Sequence, residues 1–505
     1  MTSTPTPKPT MTWTDRIRTK AFAPMDIAGL VAFRVMFGAL MLVDFARYWR
    51  AGWIDSQYVD PAFLFKYMGF GWVEPLPRVG MYAVFALMMV ASTMVMLGFL
   101  YRLGAWLLFV GHTYLFLLSA THYLNHAYLL SVIALLMAVV PVDRGLSLDV
   151  QRAPARRRGW TPAWAPWLLR IQLGIVYVYG GIAKINPDWL AGEPIRGWLR
   201  GRAGSAVPWI ADLLRSEVVI GLVTQGGLWF DLLAAPALLW RKTRWLAVLV
   251  SAGFHLTNAY LFNIGVFPWF MLAATTLYFE PDWPRRLPVI GPRLDAWLGP
   301  VPDRSERRPK PTLEDEAEQT PQEGAQTALA SSSPQAPETR EPPTRPRLVL
   351  GLLAGWFLVQ LLVPLRHHLY PGNVAWTEEG HHFSWRMKLR TKSGAGRFVV
   401  FDPAGRRSWV VDPQDELSAR QTRKMLGKPE LVRQYAHHLA ERWKQEHGLD
   451  VEVRAQIQVS LNRRRRHQLV DPTVDLSAEP ASLAPASWIM PGPTEPVPRP
   501  RAPDR

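Results

Sequence analysis

The chain has 505 residues, of which 49% are hydrophobic, and it carries 23 tryptophans, no cysteine and a formal net charge of +16. Without cysteine it can form no disulfide, no thiolate nucleophile and no cysteine metal site. The positive charge does not indicate nucleic acid as a partner, because basic and aromatic residues are not interleaved as they are in single-strand binders.

Residues 1–23 are polar and basic and lack the apolar core of a cleaved signal peptide. A helical membrane domain is predicted over 24–283, because apolar segments recur there that approach the roughly 20 residues needed to cross a bilayer. One further apolar segment follows beyond residue 345. Together the apolar segments lie at 25–48, 79–100, 104–121, 126–142, 163–185, 217–240, 244–262, 264–279 and 347–365. Since 244–262 and 264–279 could form one re-entrant unit, the pattern predicts eight or nine transmembrane helices.

The charges of the loops predict how these segments are oriented. Basic residues collect in the N-terminal segment, in DRGLSLDVQRAPARRRG after the fourth segment and in WRKTR after the sixth. The turns THYLN at 121–125 and FNI at 262–264 contain no lysine or arginine. By the positive-inside rule the basic loops face the cytoplasm, so that with nine spans the C-terminal part lies outside.

The C-terminal part differs from the rest in composition and in residue pattern. Residues 302–346 are rich in Pro, Glu, Ser and Gln, which predicts a disordered linker before the last transmembrane segment at 347–365. Within 370–490, RFVVFDPAGRRSWVV indicates a hairpin and VEVRAQIQVSL a half-buried strand, with a helical stretch between them. We predict a multi-span α-helical membrane domain plus a C-terminal, mainly β extramembrane domain with a helical insert. A disordered tail is expected at 491–505.

Ionisable and amide side chains occur inside the apolar segments, where they are costly and usually face a cavity or a partner. They are Asn125 and His126 in YLNHAYL, Lys184 in YVYGGIAKINPDWLAGE, Asp231 in GGLWFDLLAAP, and His255 and Asn258 in FHLTNAYLFNIG. The predicted topology places all except Asp231 at the outer ends of their helices. These residues could therefore line one cavity that opens to the outer face.

Each residue also has a simpler interpretation. Lys184 could extend to the membrane interface, the histidines could bond neighbouring helices, and Asp231 could pair with Arg170 or a backbone donor. Their convergence at one depth favours a functional site. A lysine in an apolar pocket loses part of its preference for the charged form, so its amine could accept a proton from a lipid-soluble acid such as a quinol.

These segments, in this order, resemble the vitamin K-dependent gamma-glutamyl carboxylase family, including its bacterial members with the same membrane domain. The similarity extends to FRVMFGALMLVDFAR near the start and to RHHLYPGNVAWTEEGHHFSWRMKLR, VSLNRRRRHQLVDPTVDL and SWIMP in the C-terminal part. The resemblance implies that Lys184 is the catalytic base towards vitamin K hydroquinone and that His126 assists the later reaction. It further implies a quinone pocket, to which we assign Asn125, Asp231, His255 and Asn258.

In the scheme that the resemblance implies, O2 converts the quinol anion into a much stronger base, which removes a γ-proton from a protein glutamate. CO2 then adds to the carbanion, and the vitamin leaves as its epoxide. The chain would thus be a peptidyl-glutamate carboxylase of the carboxy-lyase class, with reduced vitamin K, O2 and CO2 but no metal. Two alternatives remain: a quinol epoxidase without carboxylase activity, and a membrane receptor or transporter with a degenerate pocket.

The expected partners are membrane lipid and a glutamate-containing protein or peptide, with no nucleic acid. The expected location is the bacterial inner membrane with a periplasmic C-terminal domain, and the alternative is the endoplasmic reticulum membrane. The pairs Glu378-Glu379 and His381-His382 do not predict a metal site, because neighbours on a strand point to opposite faces. The basic run at 463–466 could contact lipid headgroups or an acidic substrate segment, but a solvated hairpin is the favoured interpretation.

Overall fold

The computed structural model describes residues 12–262, 264–301 and 345–498. The predicted linker therefore lies almost entirely outside the described residues. The first part is helical apart from one short antiparallel sheet of two strands. Its elements are α1 (Trp13–Ala21), β1 (Pro24–Asp26), α2 (Ala28–Arg50), α3 (Arg78–Leu97), α4 (Tyr101–Leu117), α5 (Asn125–Val139), α6 (Leu148–Arg152), β2 (Trp160–Pro162), α7 (Trp164–Lys184), α8 (Pro187–Leu190), α9 (Ile195–Ala203), α10 (Pro208–Arg215), α11 (Glu217–Leu239), α12 (Arg244–Leu261), α13 (Phe267–Thr275) and α14 (Gly291–Leu298).

The second part begins with a further apolar helix and continues into a mixed domain. Its elements are α15 (Pro346–Leu362), α16 (Val374–Thr377), β3 (Lys392–Asp402), β4 (Arg407–Val411), α17 (Ala419–Met425), α18 (Pro429–His447), β5 (Glu452–Leu461) and β6 (His467–Gln468).

Within the described residues, each apolar segment predicted from the sequence contains a helix. Four helical stretches are long and apolar enough to cross a membrane by length and composition: Ala28–Arg50, Arg78–Leu97, Glu217–Leu239 and Pro346–Leu369, while α5 is apolar but shorter. At 1.5 Å per residue, the nine residues of α13 extend only about 13 Å, well short of a bilayer core. The count of eight or nine transmembrane helices therefore stays a prediction.

The chain around α13 nevertheless connects the two ends of the helical domain. We call the end at which α5 begins and α7 and α12 end the site end, and the opposite one the basic end. At the start of α13, the ring of Phe267 stacks on His126 with centroids 5.1 Å apart. Shortly after α13, Glu280 forms ion pairs with Arg241 and Arg244 at the basic end, at 2.8 and 2.9 Å. The segment from 264 to 280 thus runs from one end to the other.

The C-terminal domain contains a four-stranded antiparallel sheet in the order β4-β3-β5-β6. The predicted hairpin is present, since Asp402 pairs with Arg407 across the turn. The alternation predicted for 451–461 is also confirmed, because Val453, Ile457 and Val459 are all fully buried. The domain is mixed rather than mainly β, because α18 has 19 residues and packs on this sheet.

The predicted disordered tail is ordered in part. Glu495 accepts a hydrogen bond from His467 at 2.8 Å through its side chain and one from Arg464 at 2.7 Å through its backbone carbonyl. The stretch 491–498 thus lies against the C-terminal domain, and 499–505 lie outside the described residues.

Ion pairs and hydrogen bonds hold the C-terminal domain against the site end of the helical domain. Arg464 binds both carboxylate oxygens of Asp188, at 2.6 and 2.7 Å, and Arg463 pairs with the buried Glu193 at 3.1 Å. The interpretation of 463–466 as a solvated hairpin is therefore wrong for these two arginines, which bind acids of this same chain. The docking encloses a space between the two domains.

Candidate functional site

One cavity of about 790 Å³ lies between the helical domain and the C-terminal domain. The helical domain contributes the end of α7, the facing sides of α11 and α12, and the start of α5. The structure brings all six residues singled out from the sequence to its wall: Asn125, His126, Lys184, Asp231, His255 and Asn258.

The least exposed charged side chains of the cavity wall form an ion pair. The ammonium of Lys184 donates to a carboxylate oxygen of Asp231, and both side chains are at most 7% exposed. The same ammonium donates to the carbonyl of Gly180 at 3.2 Å and lies 5.2 Å from the ring of Trp189. Lys184 therefore does not extend to an interface but ends inside the protein.

Asp231 does not take the partner that the sequence suggested. The guanidinium of Arg170 instead donates to the carbonyls of Leu277 and Phe279, at 2.6 and 3.2 Å. Buried charges require compensation, and a carboxylate opposite a lysine supplies it. Asp231 therefore belongs with Lys184 in the cavity.

The Gly-Gly pair before Lys184 explains how α7 and α11 come close enough for this ion pair. A Cβ on Gly180 would lie 2.9 Å from Oδ2 of Asp231, and one on Gly181 would lie 2.9 Å from the backbone nitrogen of Leu232. Both distances are shorter than real Cβ contacts, so larger residues would force the helices apart. The close helix packing and the polar site are thus two consequences of the same sequence, GGIAK.

The histidines and amides complete the helical half of the wall. The hydroxyl of Tyr177 hydrogen-bonds Nε2 of His255 at 3.0 Å, which fixes the imidazole beside the cavity. The amide of Asn125 accepts from the hydroxyl of Tyr123 at 2.9 Å and donates to the carbonyl of Arg386 at 3.0 Å. Asn125 thus links the start of α5 to the C-terminal domain.

Sequence reasoning missed the half of the cavity that the C-terminal domain provides. Its wall is strongly cationic and consists of Arg386, Lys388, Arg390, Lys392, Arg423, Lys424 and Lys428, with Glu378 as the acid among them. A signal was present in the sequence, because SWRMKLRTK places a basic residue at every second position from 386 to 392. This period of two is typical of side chains on one face of an extended chain.

The cations of this half differ in how they are paired. Glu378 binds both Arg390 and Lys392, the latter at 2.8 Å. Burial alone would raise the pKa of Glu378, but these two cations hold it well below its usual value. Lys388, in contrast, forms no salt bridge with a carboxylate of the described residues, and its ammonium lies 4.0 Å from the ring centroid of Phe262.

Partial burial, with a smaller contribution from the nearby Lys424, lowers the pKa of Lys388 to about 8. The backbone φ of Lys388 is 53°, a conformation that is uncommon without glycine and that clusters at functional sites. Lys388 thus presents a cation to the cavity without a carboxylate partner in the part of the chain that the structure describes.

No three histidine or acidic side chains of the described part of the chain lie close enough together to hold a metal ion. Glu378, from one of the pairs considered above, is instead engaged by Arg390 and Lys392.

Two family models match the chain in the order of its two domains. The HTTM domain matches residues 22–283, and the vitamin K-dependent gamma-carboxylase lumenal domain matches residues 345–495. No solved structure matches the chain significantly. The first match covers the helical domain and the second covers the last apolar helix with the mixed domain, so both contribute to the cavity. The chain is therefore an integral membrane protein and belongs to the vitamin K-dependent gamma-carboxylase family.

Proposed function

We propose that the protein carboxylates the γ-carbon of glutamate residues in a protein or peptide, using reduced vitamin K, O2 and CO2, and releases vitamin K epoxide. One observation carries this proposal: a single cavity joins the buried Lys184–Asp231 pair to an apolar wall on one side and to a cationic domain on the other. The apolar wall suits a neutral quinol, and the cationic domain suits an acidic peptide.

The helical half of the cavity fits a quinol in its chemistry. The volume of the whole cavity lies within the roughly 300–1,000 Å³ that is usual for small-molecule sites. Phe230 and Phe254 provide flat apolar surfaces, while Lys184, His255 and Asn258 provide polar groups that could orient ring oxygens. When bound, the quinol with O2 supplies the base strong enough to remove a glutamate γ-proton, which no amine of the protein could do.

The role we propose for the ion pair is to accept the first proton. Lys184 and Asp231 can hold one proton in two ways, as ammonium with carboxylate or as amine with carboxylic acid. In the neutral arrangement, Nζ of Lys184 has a free lone pair that can take a proton. Taking the proton gives an ammonium that donates to a carboxyl oxygen of the protonated Asp231, and the quinol anion left in the cavity balances the new positive charge.

Exclusion of water is the second requirement that this half of the site meets. The stronger base would be quenched by water before it reached a glutamate. Lys184, Asp231 and His255 are all nearly inaccessible to solvent, and Phe267 covers one face of His126. We assign to His126 a role in the step after proton abstraction.

The cationic half would hold the glutamate. Removing a proton next to a carboxylate places a second negative charge on the same acid, so fixed positive charge close to it lowers the barrier. We assign this role to Lys388, which faces the cavity and whose ammonium lies 4.0 Å from the ring centroid of Phe262, a residue of the helical half.

We further propose nine crossings, a cytoplasmic basic end and a periplasmic C-terminal domain in a bacterial inner membrane. The run of 264–280 from one end of the helical domain to the other supports this arrangement, as does the docking of the C-terminal domain on the end opposite Arg241 and Arg244. In the endoplasmic reticulum, the alternative location, the same domain would be lumenal.

The test is to incubate the purified protein with reduced vitamin K, labelled bicarbonate and a glutamate-rich peptide. Label in the peptide together with epoxide supports the proposal. Epoxide without label would indicate a quinol epoxidase, and neither product would indicate a receptor or transporter.

A further inference from the structure

A gap between α11 and α12 forms the apolar side of the cavity. The residues that line it recur at helical spacing, so each set shares one face of its helix. They are Val223, Gly226, Gly227 and Phe230 on α11, and Val250, Gly253, Phe254 and Thr257 on α12.

The gap is open where glycines stand on both helices. A Cβ added to Gly226 or to Gly253 would meet no atom within 4 Å, although each glycine lines the cavity. The helices are not simply apart, because the rings of Phe230 and Phe254 stack across the gap with centroids 4.1 Å apart. Gly226 and Gly253 therefore leave an opening, which we call the window, next to the stacked rings of Phe230 and Phe254.

The window leads to a surface of the kind that faces lipid. On α11, Leu222 is 68% exposed and Trp229 55%, while on α12 Trp245 is 72% exposed and Leu249 70%. Such a density of exposed large apolar side chains would be costly in water, but it is usual for helices surrounded by hydrocarbon. The window therefore opens laterally, towards the hydrocarbon of the bilayer, and not towards the C-terminal domain.

We infer that this gap is the binding groove and lateral entrance for the apolar prenyl tail of a membrane quinol, an inference that rests on the proposed function. The ring must sit near Lys184 and His255 for its hydroxyl to be within reach. Its tail must then leave the cavity along an apolar wall, because the domain side is lined with cations, which hydrocarbon would desolvate at high cost. Among the described residues, the wall between α11 and α12 meets this requirement and continues to the lipid-facing surface.

The test measures binding of a radiolabelled naphthoquinone with a four-unit prenyl tail to the full-length protein, by scintillation proximity with displacement by unlabelled quinone. The same ring without a tail serves as the second ligand. The variants Gly226→Phe and Gly253→Phe fill the window with side chains that have room there. Gly221→Phe is the matched control, because Gly221 lies on α11 in equally open space but does not line the cavity.

We expect each window variant to weaken binding of the tailed quinone at least about 10-fold while binding of the tail-less ring changes less than about 2-fold, with no change in the control. Unchanged binding of the tailed quinone in both variants would overturn the inference. So would equal weakening of both ligands, or the absence of displaceable binding to the unmodified protein. If the tailed quinone binds through the window but no epoxide forms, the proposed reaction fails while the groove stands.

Discussion

The two halves of the cavity handle charge in opposite ways. In the helical half, the charges of Lys184 and Asp231 balance each other within a buried, mostly apolar wall. In the half from the C-terminal domain, seven cations line the cavity with the single acid Glu378, which pairs with Arg390 and Lys392. The other five cations, Lys388 among them, form no salt bridge with a carboxylate of the described residues. A balanced apolar wall accepts a neutral lipid-soluble molecule, whereas an excess of cations attracts an acid. We therefore propose that each family domain binds one of the two substrates and that the substrates meet between the domains.

The largest effect should come from Lys184→Ala, which removes the proposed base from the helical half. We expect epoxide formation to fall at least about 100-fold, the usual range for losing a general base. The measurement is epoxide released per mole of protein at saturating reduced vitamin K. Lys242→Ala, which changes an exposed lysine at the basic end, should leave the rate unaltered. A Lys184→Ala protein that retains a tenth of the activity would contradict the assignment.

The balance itself can be broken by Asp231→Ala, which leaves the ammonium of Lys184 buried without its counterion. We expect this variant to lose about 3–5 kcal/mol of the free energy of unfolding, as is usual when one partner of a buried pair is removed. The double variant Lys184→Met with Asp231→Leu should recover most of that stability but no activity. Denaturation of the purified variants in one detergent measures both effects. If the single and the double variant are equally unstable, the charge balance of the pair does not contribute to the free energy of unfolding.

The cationic half is tested by Lys388→Met, for which we expect about a 10-fold higher KM for the acidic peptide at pH 7 and an unchanged KM for the quinol. Since the pKa of Lys388 is lowered to about 8, its ammonium is charged at pH 7 and largely neutral at pH 9. Peptide affinity should therefore fall as the pH rises through 8.

Lys388→Arg, which stays charged, should keep more of that affinity at pH 9. Lys444→Met, on the exposed side of α18 with Asp450 as its partner, is the control. A Lys388→Met protein whose KM for the peptide equals that of the unmodified protein would argue against this role.

The smallest effect is expected at the contact that brings the halves together. Burial would raise the pKa of Asp188, but hydrogen bonds from Arg464 and Asn462 outweigh it and keep the pKa below its usual value. The contribution of this contact is therefore present at neutral pH and lost as the pH falls through the lowered value. Asp188→Asn should weaken docking of the C-terminal domain by about 1 kcal/mol. Faster limited proteolysis of that domain, compared with the exposed-site variant Arg465→Ala, would detect it.

The helical half could be predicted from the sequence because polar residues stand out in apolar segments. Counting segments and loop charges predicts that five of these polar residues lie at one depth, and all five line the cavity: Asn125, His126, Lys184, His255 and Asn258. The pairing of Lys184 with Asp231 could not be predicted, since segment positions along the chain do not say which faces of two helices meet. Only the close approach at Gly180 and Gly181 decides that Asp231 faces Lys184.

The cationic half is harder to predict from the sequence, because basic residues are common on the surface of an extramembrane domain. Lys388 is separated from Lys184 by about 200 positions, and only docking of the domain brings both to one cavity. The docking in turn depends on Arg463 and Arg464, whose partners are Glu193, between α8 and α9, and Asp188 in α8. Nothing in the local pattern of either segment identifies the other.

The most direct test of the two-substrate account measures epoxide and labelled peptide in the same reaction mixture for Lys184→Ala and for Lys388→Met. We expect Lys184→Ala to lose both products together. We expect Lys388→Met, at a peptide concentration below its KM, to keep epoxide formation but to lose most of the peptide label, so that the ratio of label to epoxide falls. Loss of both products in the same proportion in both variants would contradict a cavity divided between a quinol half and a glutamate half.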